Sequence, residues 1–281
     1  MSIGNGSSDQ LSDGVEAGDS LDEPQAILVV KKFELRPPAS QNVVDIFTSK
    51  WASDLGAVVP GVKAGAAALF AGDVRPQQLA DAFGVGGRLD GMRVLELGPL
   101  EGGHTYQLER LGAQSIVAIE GNVEAYLKCL IVKELSPLTK SQFWLGDFLP
   151  YLETTEDRYD IVMCSGVLYH MTEPFRLIEA IGRVAPHCFV WTHYYDPEHY
   201  RGPERQPVTD PARPGVVMYA HRHQDRAGGM FWGSTRPVSV WLKRHDILDG
   251  FSQAGFGRLT VVGESVDHPN GACFTFAASR F

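Results

Sequence analysis

A glycine-containing turn after an apolar run is the part of this chain best suited to hold a ligand. The run 94–97 leads into Glu96-Leu-Gly98-Pro-Leu-Glu-Gly102, and Glu120 ends a second apolar run about 20 residues later. Such a turn at the start of a helix brings backbone N–H groups close to a ligand, and a carboxylate at the next strand end can accept hydrogen bonds from both hydroxyls of a ribose. The pattern predicts a site for a nucleoside-containing cofactor.

Two histidines follow later apolar runs and could act as general bases. His170 closes the sequence Ser165-Gly-Val-Leu-Tyr-His170, and His193 lies in Val190-Trp-Thr-His-Tyr-Tyr195. Because imidazole titrates near neutral pH, a positioned histidine can take a proton from a hydroxyl or amine and add roughly 10²–10⁴ to a rate. Each ring could instead be hydrogen-bonded within a turn. The neighbouring tyrosines are expected to shape the pocket: Tyr169, Tyr194 and Tyr195.

Residues 201–244 carry a local excess of positive charge. Eight Arg or Lys residues stand against three acids, and Tyr219, Phe231, Trp232 and Trp241 are interleaved with them. Arginine recognises carboxylate and phosphate groups through paired hydrogen bonds, so this region could bind an anionic small substrate or an RNA backbone. It could equally be a solvated loop with scattered charges. The aromatic residues predict that part of it folds over the site as a lid.

Residues in and next to the same part of the sequence could also form a metal site. Its potential ligands are His193, Asp196, His199, His221 and His223. In an extended strand, His221 and His223 would present both rings on one side, which suits a divalent ion. The set is nevertheless spread over a segment without a regular pattern, and no metal is expected.

The elements that must position these residues alternate regularly from Met92 onward. Apolar runs of strand length are separated by amphipathic helices, which is typical of a parallel sheet covered on both faces. The predicted strands are 94–97, 116–119, 143–145, 159–164 and 188–192, followed by 238–242, 259–262 and 273–277. Ligands of open α/β sheets bind at the carboxyl ends of the strands. Residues 195–236, rich in Pro, Gly, Arg and His, predict an irregular insertion.

Two helices on this sheet have clear start signals. Asn122 is expected to cap the first helix, and Thr172 is expected to cap the second, with Pro174 in its first turn. Apolar residues at helical spacing predict the faces turned toward the core. These residues are Val123, Leu127, Leu130 and Ile131 in the first helix and Leu177, Ile178, Ile181 and Val184 in the second.

Composition divides the chain of 281 residues into three parts. Residues 1–24 contain six acids and no Lys or Arg, which accounts for most of the formal net charge of -9, and predict a disordered acidic tail. Residues 25–90 form a lead-in, with a strand at 26–30 and helical pieces between 41 and 84, that is expected to cover the cofactor. Residues 91–281 form the main domain.

Nothing in the sequence predicts export or membrane insertion. The start of the chain lacks the basic and apolar regions of a signal peptide, and no apolar run approaches the roughly 20 residues that span a bilayer. The chain is therefore expected to be soluble and cytoplasmic. Its four cysteines lie far apart without a C-x-x-C pair, which favours buried thiols over a disulfide framework or a zinc knuckle.

The order of elements and the glycine turn resemble the class I S-adenosylmethionine-dependent methyltransferases over roughly residues 92–278. The family's first motif reads acid-x-Gly-x-Gly-x-Gly; Glu96, Gly98 and Gly102 match it, and Leu100 replaces the middle glycine. That replacement disfavours an NAD site, where backbone must approach a pyrophosphate. The resemblance implies an α/β, Rossmann-like methyltransferase fold, with helices on both faces of a mostly parallel seven-stranded sheet and an antiparallel C-terminal strand. It also implies S-adenosyl-L-methionine as cofactor and methyl transfer as the reaction.

The family's binding residues can be carried over by position to the strand ends. The resemblance implies that Gly98 passes beneath the methionine part of the cofactor and that Glu120 holds the ribose hydroxyls. Asp147 would accept from the adenine amino group with Phe148 packed on the ring, and Ser165 would lie beneath the sulfonium. Each of the carboxylates could also be an ordinary strand-end group or a helix cap.

Three functions are compatible with the sequence. The first is methylation of a small molecule at oxygen or nitrogen, with an anionic biosynthetic intermediate as one candidate acceptor. The second follows from a local similarity of residues 165–170 to methyltransferase-fold enzymes that modify the tRNA wobble uridine; the sequence pI of about 5.5 disfavours a nucleic-acid partner. The third is a catalytically silent partner protein that binds S-adenosylmethionine. The sequence does not indicate an oligomeric state.

Overall fold

Ten strands form two sheets in the part of the chain that the computed structural model describes, residues 33–202, 205–222 and 238–281. The strands are β1 (Arg93–Leu97), β2 (Ser115–Glu120), β3 (Ser141–Leu145), β4 (Ile161–Ser165), β5 (His187–His193), β6 (Pro207–Thr209), β7 (Val217–Arg222), β8 (Val238–Trp241), β9 (Arg258–Ser265) and β10 (Cys273–Ser279). The large sheet has the order β3-β2-β1-β4-β5-β10-β9. Strands β1 to β5 are parallel, and β10 is antiparallel to β5 and β9. This confirms the predicted seven-stranded architecture.

Seven α-helices and two 3₁₀ turns accompany the strands in the described residues. They are α1 (Ser40–Val44), α2 (Arg75–Phe83), α3 (Gly103–Arg110), α4 (Val123–Leu135), α5 (Phe148–Thr154), α6 (Pro174–Val184) and α7 (Arg244–Gln253), with 3₁₀ turns at Asp45–Phe47 and Leu168–His170. Between residues 33 and 90, the described part of the lead-in is helical at Ser40–Val44, Asp45–Phe47 and Arg75–Phe83 and has no helix between them. The predicted tail 1–24 and strand 26–30 lie outside the described residues. None of the described helices combines the length and apolar character needed to cross a membrane.

Strand β4 shows how the sheet separates two hydrophobic cores. Successive side chains of a strand point to opposite faces, so Val162 and Cys164 pack in one core and Ile161 and Met163 in the other. The first core includes residues of α5, α6 and α7, and the second includes residues of α2 and α3. Helices thus cover both faces, and the strand ends are left to line a site.

The predicted inward face of α4 is wrong. Val123, Leu127 and Leu130 are exposed, and Ile131 is half-buried. The helix instead buries Ala125, Lys128, Cys129 and Val132. The helix is apolar around much of its surface, so periodicity alone does not select one face. An ion pair between Lys128 and the buried Glu101, with Nζ and Oε1 3.2 Å apart, fixes the orientation instead.

The start of α4 agrees with the prediction, whereas the start of α6 does not. The Asn122 side chain accepts a hydrogen bond from the backbone N–H of Ala125 at 2.8 Å. In α6 the helix begins at Pro174, so Glu173 takes the capping position predicted for Thr172 and makes no side-chain cap. The predicted inward face of α6 is confirmed by the burial of Leu177, Ile178, Ile181 and Val184.

The predicted irregular insertion is partly regular. Strands β6 and β7 lie inside it and pair with each other, and β7 also pairs with β8 just beyond it, which gives a three-stranded antiparallel sheet. This pairing satisfies the backbone groups of a segment whose composition suggested a loop. The N–H of Val240 in β8 donates to the carbonyl of Met171 at 2.9 Å, which attaches the small sheet beside His170. Phe231 and Trp232 of the predicted lid lie outside the described residues.

The turn after β1 keeps a glycine-like path although its central residue is leucine. Gly98, Leu100 and Gly102 all have positive φ, at 64°, 56° and 81°. A non-glycine residue in this left-handed region costs roughly 1–2 kcal/mol. The backbone N–H of Leu100 donates to Oε2 of Glu120 at 3.1 Å and helps to hold the turn in place.

A buried carboxylate connects this turn to the lead-in. Glu101 is 1% exposed and accepts hydrogen bonds from the backbone N–H groups of Ala52 at 2.9 Å and Ser53 at 2.8 Å. Its third partner is the ammonium group of Lys128, which is 5% exposed. The ion pair therefore fastens the lead-in against the glycine turn.

We expect Lys128→Met to lower the free energy of unfolding by about 3 kcal/mol, because it leaves the Glu101 carboxylate buried without its counter-ion. Urea denaturation measures the change. Lys63→Met, at an exposed lysine, is the matched control and should change the free energy by less than about 0.5 kcal/mol. Equal losses in the two variants would show that the buried pair does not stabilise the fold.

Candidate functional site

A cavity of about 1020 Å³ opens at the carboxyl edge of the large sheet. The turns after β1, β2, β3 and β4 line it, together with the carboxyl end of β5, the loop before β10 and two residues of the lead-in, Leu69 and Arg75. The chain order reverses between β1 and β4, which are neighbours in the sheet. Such a switch point is where open α/β sheets bind their ligands.

The structure brings most of the predicted site residues together in this cavity. Five of the seven predicted cofactor residues line it, as do both predicted catalytic histidines: Gly98, Glu120, Asp147, Phe148 and Ser165, with His170 and His193. Glu96 and Gly102 are not among the lining residues. The hydroxyl of Thr105, in α3, donates to the buried Glu96, and Gly102 immediately precedes α3. These two residues therefore shape the turn from behind.

Burial raises the pKa of Glu96 to about 7, and the neighbouring charge of Glu120 acts in the same direction. The hydrogen bond from Thr105 opposes both effects by stabilising the carboxylate. Glu96 is 1% exposed, so its charge state depends on these two neighbours and on desolvation.

The Glu120 carboxylate is held in place at the end of β2. It is 6% exposed, and its two oxygens accept from the backbone N–H groups of Leu100 at 3.1 Å and Asn122 at 2.8 Å. Burial raises its pKa, whereas the backbone donors favour the charged form. Each carboxylate oxygen has a further lone pair, so Glu120 can still accept hydrogen bonds from two ligand hydroxyls.

Asp147 and Ser165 each have a protein partner as well as a place in the cavity wall. Asp147 caps α5 by accepting from the backbone N–H of Leu149 at 2.9 Å, so the predicted acid and the helix cap are the same residue. One carboxylate oxygen serves the cap, and the other can serve a ligand. The hydroxyl of Ser165 accepts from Nη1 of Arg75 at 3.0 Å.

A charged group from the lead-in is part of the site, and the sequence analysis missed it. Arg75 forms an ion pair with Asp73 and lies with its guanidinium carbon 4.8 Å from the ring centre of Trp191. Asp73 also bonds to Nε2 of His104 at 2.9 Å. Burial alone would raise the pKa of Asp73, but Arg75 and His104 outweigh it and hold that pKa well below its usual range. Proline at the start of α2 was the only local signal, and it marks the helix rather than the site.

His193 is a buried, neutral imidazole with a fixed orientation. It is 3% exposed, and its Nδ1 lies 2.8 Å from the carbonyl oxygen of Gly271, an atom that can only accept. Nδ1 therefore carries the proton and Nε2 the lone pair. Burial lowers the pKa of His193 to about 4, against a smaller opposing effect of the Gly271 carbonyl. The ring stacks on Trp241, with centroids 5.2 Å apart and planes 7° apart.

The loop that supplies this carbonyl has a constrained backbone. Gly271 has a φ of 108°, in the region that favours glycine. A Cβ added there would lie 3.0 Å from the ring of Trp241. The carbonyl that orients His193 is thus set by a glycine packed against the ring on which His193 stacks.

Some of the other predicted aromatic and histidine residues line the cavity, and others lie outside it. His170 is half-buried in the cavity wall, and its ring centroid lies 4.1 Å from that of Tyr169. Tyr169 also lines the cavity, and burial raises its pKa to about 12. Tyr194 and Tyr195 are not among the lining residues; the hydroxyl of Tyr194 donates to Glu264, and the ring of Tyr195 stacks on Tyr219.

The histidines considered as metal ligands do not converge as a set. His199 bonds to Asp196 at 2.8 Å, His221 lies against Trp241, and His223 is outside the described residues. Within the described ranges a different group forms from His193, His268 and Cys273, whose potential ligand atoms all lie within 4.8 Å of one another. Cys273 is the cross-strand neighbour of His193, and burial raises the pKa of its thiol.

Solved structures share this architecture, although no protein-family model and no curated protein sequence matches the chain. The N-terminal domain of EvdMO1 with SAH bound is 24% identical with a TM-score of 0.67, over 85% of this chain and 94% of that one. The same domain in the presence of SAH and D-fucose gives 24% identity and a TM-score of 0.65 over the same shares. Full-length EvdMO1 gives 23% and 0.52, over 78% of this chain and 42% of that one.

These similarities, together with the strand order, define the class of fold. The chain has an α/β, Rossmann-like fold, as the sequence predicted, and shares it with the EvdMO1 domain that was crystallised with SAH bound.

Proposed function

We propose that the protein is an S-adenosylmethionine-dependent methyltransferase that acts on a small-molecule acceptor. The observation that carries the proposal is a continuous cavity at the β1/β4 switch point. It joins the glycine turn and Glu120 to two histidines, His170 and His193. One end has the groups that a nucleoside needs, and the other has groups that can take a proton.

The residues of the first end fit the cofactor. Glu120 presents a buried carboxylate for the ribose hydroxyls, and Asp147 keeps one oxygen for the adenine amino group beside the ring of Phe148. Gly98 and Ser165 would border the methionine part and the sulfonium. When bound, the cofactor supplies a methyl group on a positively charged sulfur. Aligning it with an acceptor accounts for up to about 7–11 kcal/mol of the barrier.

His193 is the better placed of the two histidines to take a proton from the acceptor. The Gly271 carbonyl holds Nδ1 as a donor, so the neutral ring has its lone pair on Nε2. A pKa of about 4 keeps this form at neutral pH. We propose His170, in the wall after β4, as the second proton-handling group.

The shape and charge of the acceptor side favour a small anionic molecule. Arg205 is not among the residues that line the cavity, but it lies against Trp241, the ring on which His193 stacks. It is 6% exposed, and its guanidinium carbon lies 3.7 Å from the ring centre of Trp241. Its Nε and Nη1 have no hydrogen-bond partner among the described residues. A buried guanidinium of this kind is stabilised by a carboxylate or phosphate. The presence of D-fucose with the similar EvdMO1 domain supports an acceptor of comparable size.

Calorimetry with S-adenosylmethionine and S-adenosylhomocysteine tests the cofactor end. We expect Glu120→Ala to weaken the binding of both by about 1.5–3 kcal/mol, because it removes the acceptor for the ribose hydroxyls. Glu134→Ala, at an exposed carboxylate of α4, is the control and should leave affinity unchanged. Equal affinities in wild type and Glu120→Ala would mean that this carboxylate does not hold the ribose.

A methyl-transfer screen then tests the acceptor end. Hydroxy acids, sugar phosphates, neutral sugars, the corresponding amines and tRNA are offered with labelled cofactor. The proposal expects turnover with small anionic molecules and none with tRNA. Transfer to tRNA alone, with binding that falls steeply as salt rises, would assign the protein to the RNA-modifying class instead.

The pH dependence of kcat/KM reports the base of the free protein. Since burial lowers the pKa of His193 to about 4, the proton-accepting form persists at acid pH. We expect kcat/KM to stay level from pH 7 to about 5 and to fall by about tenfold per pH unit below about 4. The titratable and charged groups around the ring are His268, Arg205, Tyr169 and Cys273. A decline that begins near pH 6.5, the ordinary value for histidine, would contradict the assignment.

A further inference from the structure

A third histidine faces the cavity from the loop between β9 and β10. His268 and Asn270 both line the cavity with His193, although the strand that precedes them lies at the far edge of the sheet. Because β10 is antiparallel to β5, the loop before β10 comes to the edge where β5 ends. The fold therefore places His268 beside His193.

Hydrogen bonds hold the two rings in opposite tautomers. Nδ1 of His193 must donate, because its partner is the carbonyl oxygen of Gly271. Nδ1 of His268 accepts instead, because its partner is the backbone N–H of Asn270 at 3.2 Å. In the neutral rings, Nε2 of His193 is thus a hydrogen-bond acceptor, and Nε2 of His268 is a donor.

The separation of the rings leaves room for one atom that bonds to both. Their centroids lie 5.0 Å apart, and a nitrogen of one ring lies within 4.8 Å of a nitrogen of the other. Two hydrogen bonds of about 2.8 Å that meet at an oxygen with a tetrahedral angle span about 4.6 Å. The limit of 4.8 Å between ring nitrogens is compatible with a hydroxyl oxygen bonded to both rings.

We propose that His193 and His268 together select a hydroxyl oxygen, rather than an amine nitrogen, as the methyl acceptor, and that His268 is a further catalytic residue. This inference rests on the proposed function. A hydroxyl donates its proton to His193, accepts from His268 with one lone pair, and attacks with the other. A neutral amine has one lone pair, which cannot accept from His268 and attack at the same time.

Methyl transfer to this hydroxyl needs no co-reactant beyond the acceptor, the cofactor and the two histidines. The acceptor oxygen forms a bond to the methyl carbon as the bond between that carbon and sulfur breaks, and the electron pair of the broken bond remains on sulfur. The hydroxyl proton moves to Nε2 of His193. The Nε2–H of His268 stays bonded to the oxygen throughout and fixes the direction of its attacking lone pair.

A metal ion shared with Cys273 is the competing use of this cluster, and its donor set fits less well. One ion would need a lone pair from each ring and a thiolate. The N–H of Asn270 already occupies the lone pair on Nδ1 of His268, and burial raises the pKa of the Cys273 thiol. A hydroxyl bound between the two rings needs no change in the tautomer of either histidine.

Nitrogen NMR of the ¹⁵N-histidine-labelled protein tests the premise without a substrate. We expect the proton of neutral His193 on Nδ1 and that of neutral His268 on Nε2, with His193→Gln and His268→Gln used to assign the signals. The same tautomer in both rings would overturn the proposal. Loss of methyl transfer on chelation, followed by recovery with zinc, would also overturn it in favour of the metal.

Variants of His268 test the catalytic role. His268→Leu removes the donor, and we expect kcat to fall by about 10²–10³, the usual effect of losing one such donor. His268→Gln keeps an N–H donor and should recover part of the rate, whereas His245→Leu, at an exposed histidine, should change nothing. Preferred methylation of an amine over the matching alcohol, or equal rates in His268→Leu and wild type, would refute the role.

Calorimetry separates this inference from the proposed function. S-adenosylhomocysteine should bind the His268 variants as tightly as wild type, because the residue faces the acceptor. If wild type itself binds neither form of the cofactor, the proposed function fails, whatever the tautomers show. If the cofactor binds but both histidines carry the proton on the same ring nitrogen, only the proposed selection of a hydroxyl oxygen fails.

Discussion

A hydrogen bond between the backbone of Leu100 and the carboxylate of Glu120 is the contact on which the glycine-turn end of the cavity depends. It joins the turn after β1 to the end of β2 at 3.1 Å and supports a leucine in a conformation that glycine adopts more easily. Buried Glu101, next in the chain, fastens the same turn to the lead-in through Ala52 and Ser53. Two successive residues of one turn thus connect the cavity wall to β2 and to the lead-in.

The sequence predicted the parts of the structure that local patterns determine. Apolar runs identified the strands, Asn122 identified the start of α4, and the spacing of Gly98 and Glu120 identified two sides of one cavity. These features agree because each depends on residues close in the chain or on the common direction of parallel strands. The Leu100 substitution did not disturb the turn, since the required backbone conformation is costly for leucine but accessible.

Features that depend on distant contacts were not predictable in the same way. The orientation of α4 is set by Lys128 and Glu101, which lie 27 residues apart in the chain. Arg75 joins the site from the lead-in through Asp73 and Ser165, and no pattern near it indicates a ligand site. Pairing with β8 likewise makes a strand of residues 217–222, in an insertion whose composition is typical of loops. In each case a partner remote in sequence decides the outcome.

The backbone of Gly271 links two properties that are usually separate, the shape of a surface loop and the chemistry of a buried ring. Its positive φ directs the carbonyl toward Nδ1 of His193, while Trp241 leaves no space for a side chain. If the carbonyl turned away, the imidazole would be released to place its proton on either nitrogen. The nitrogen of His193 that carries the proton is therefore set by one peptide unit outside the histidine, and the proposed direction of proton transfer depends on that unit.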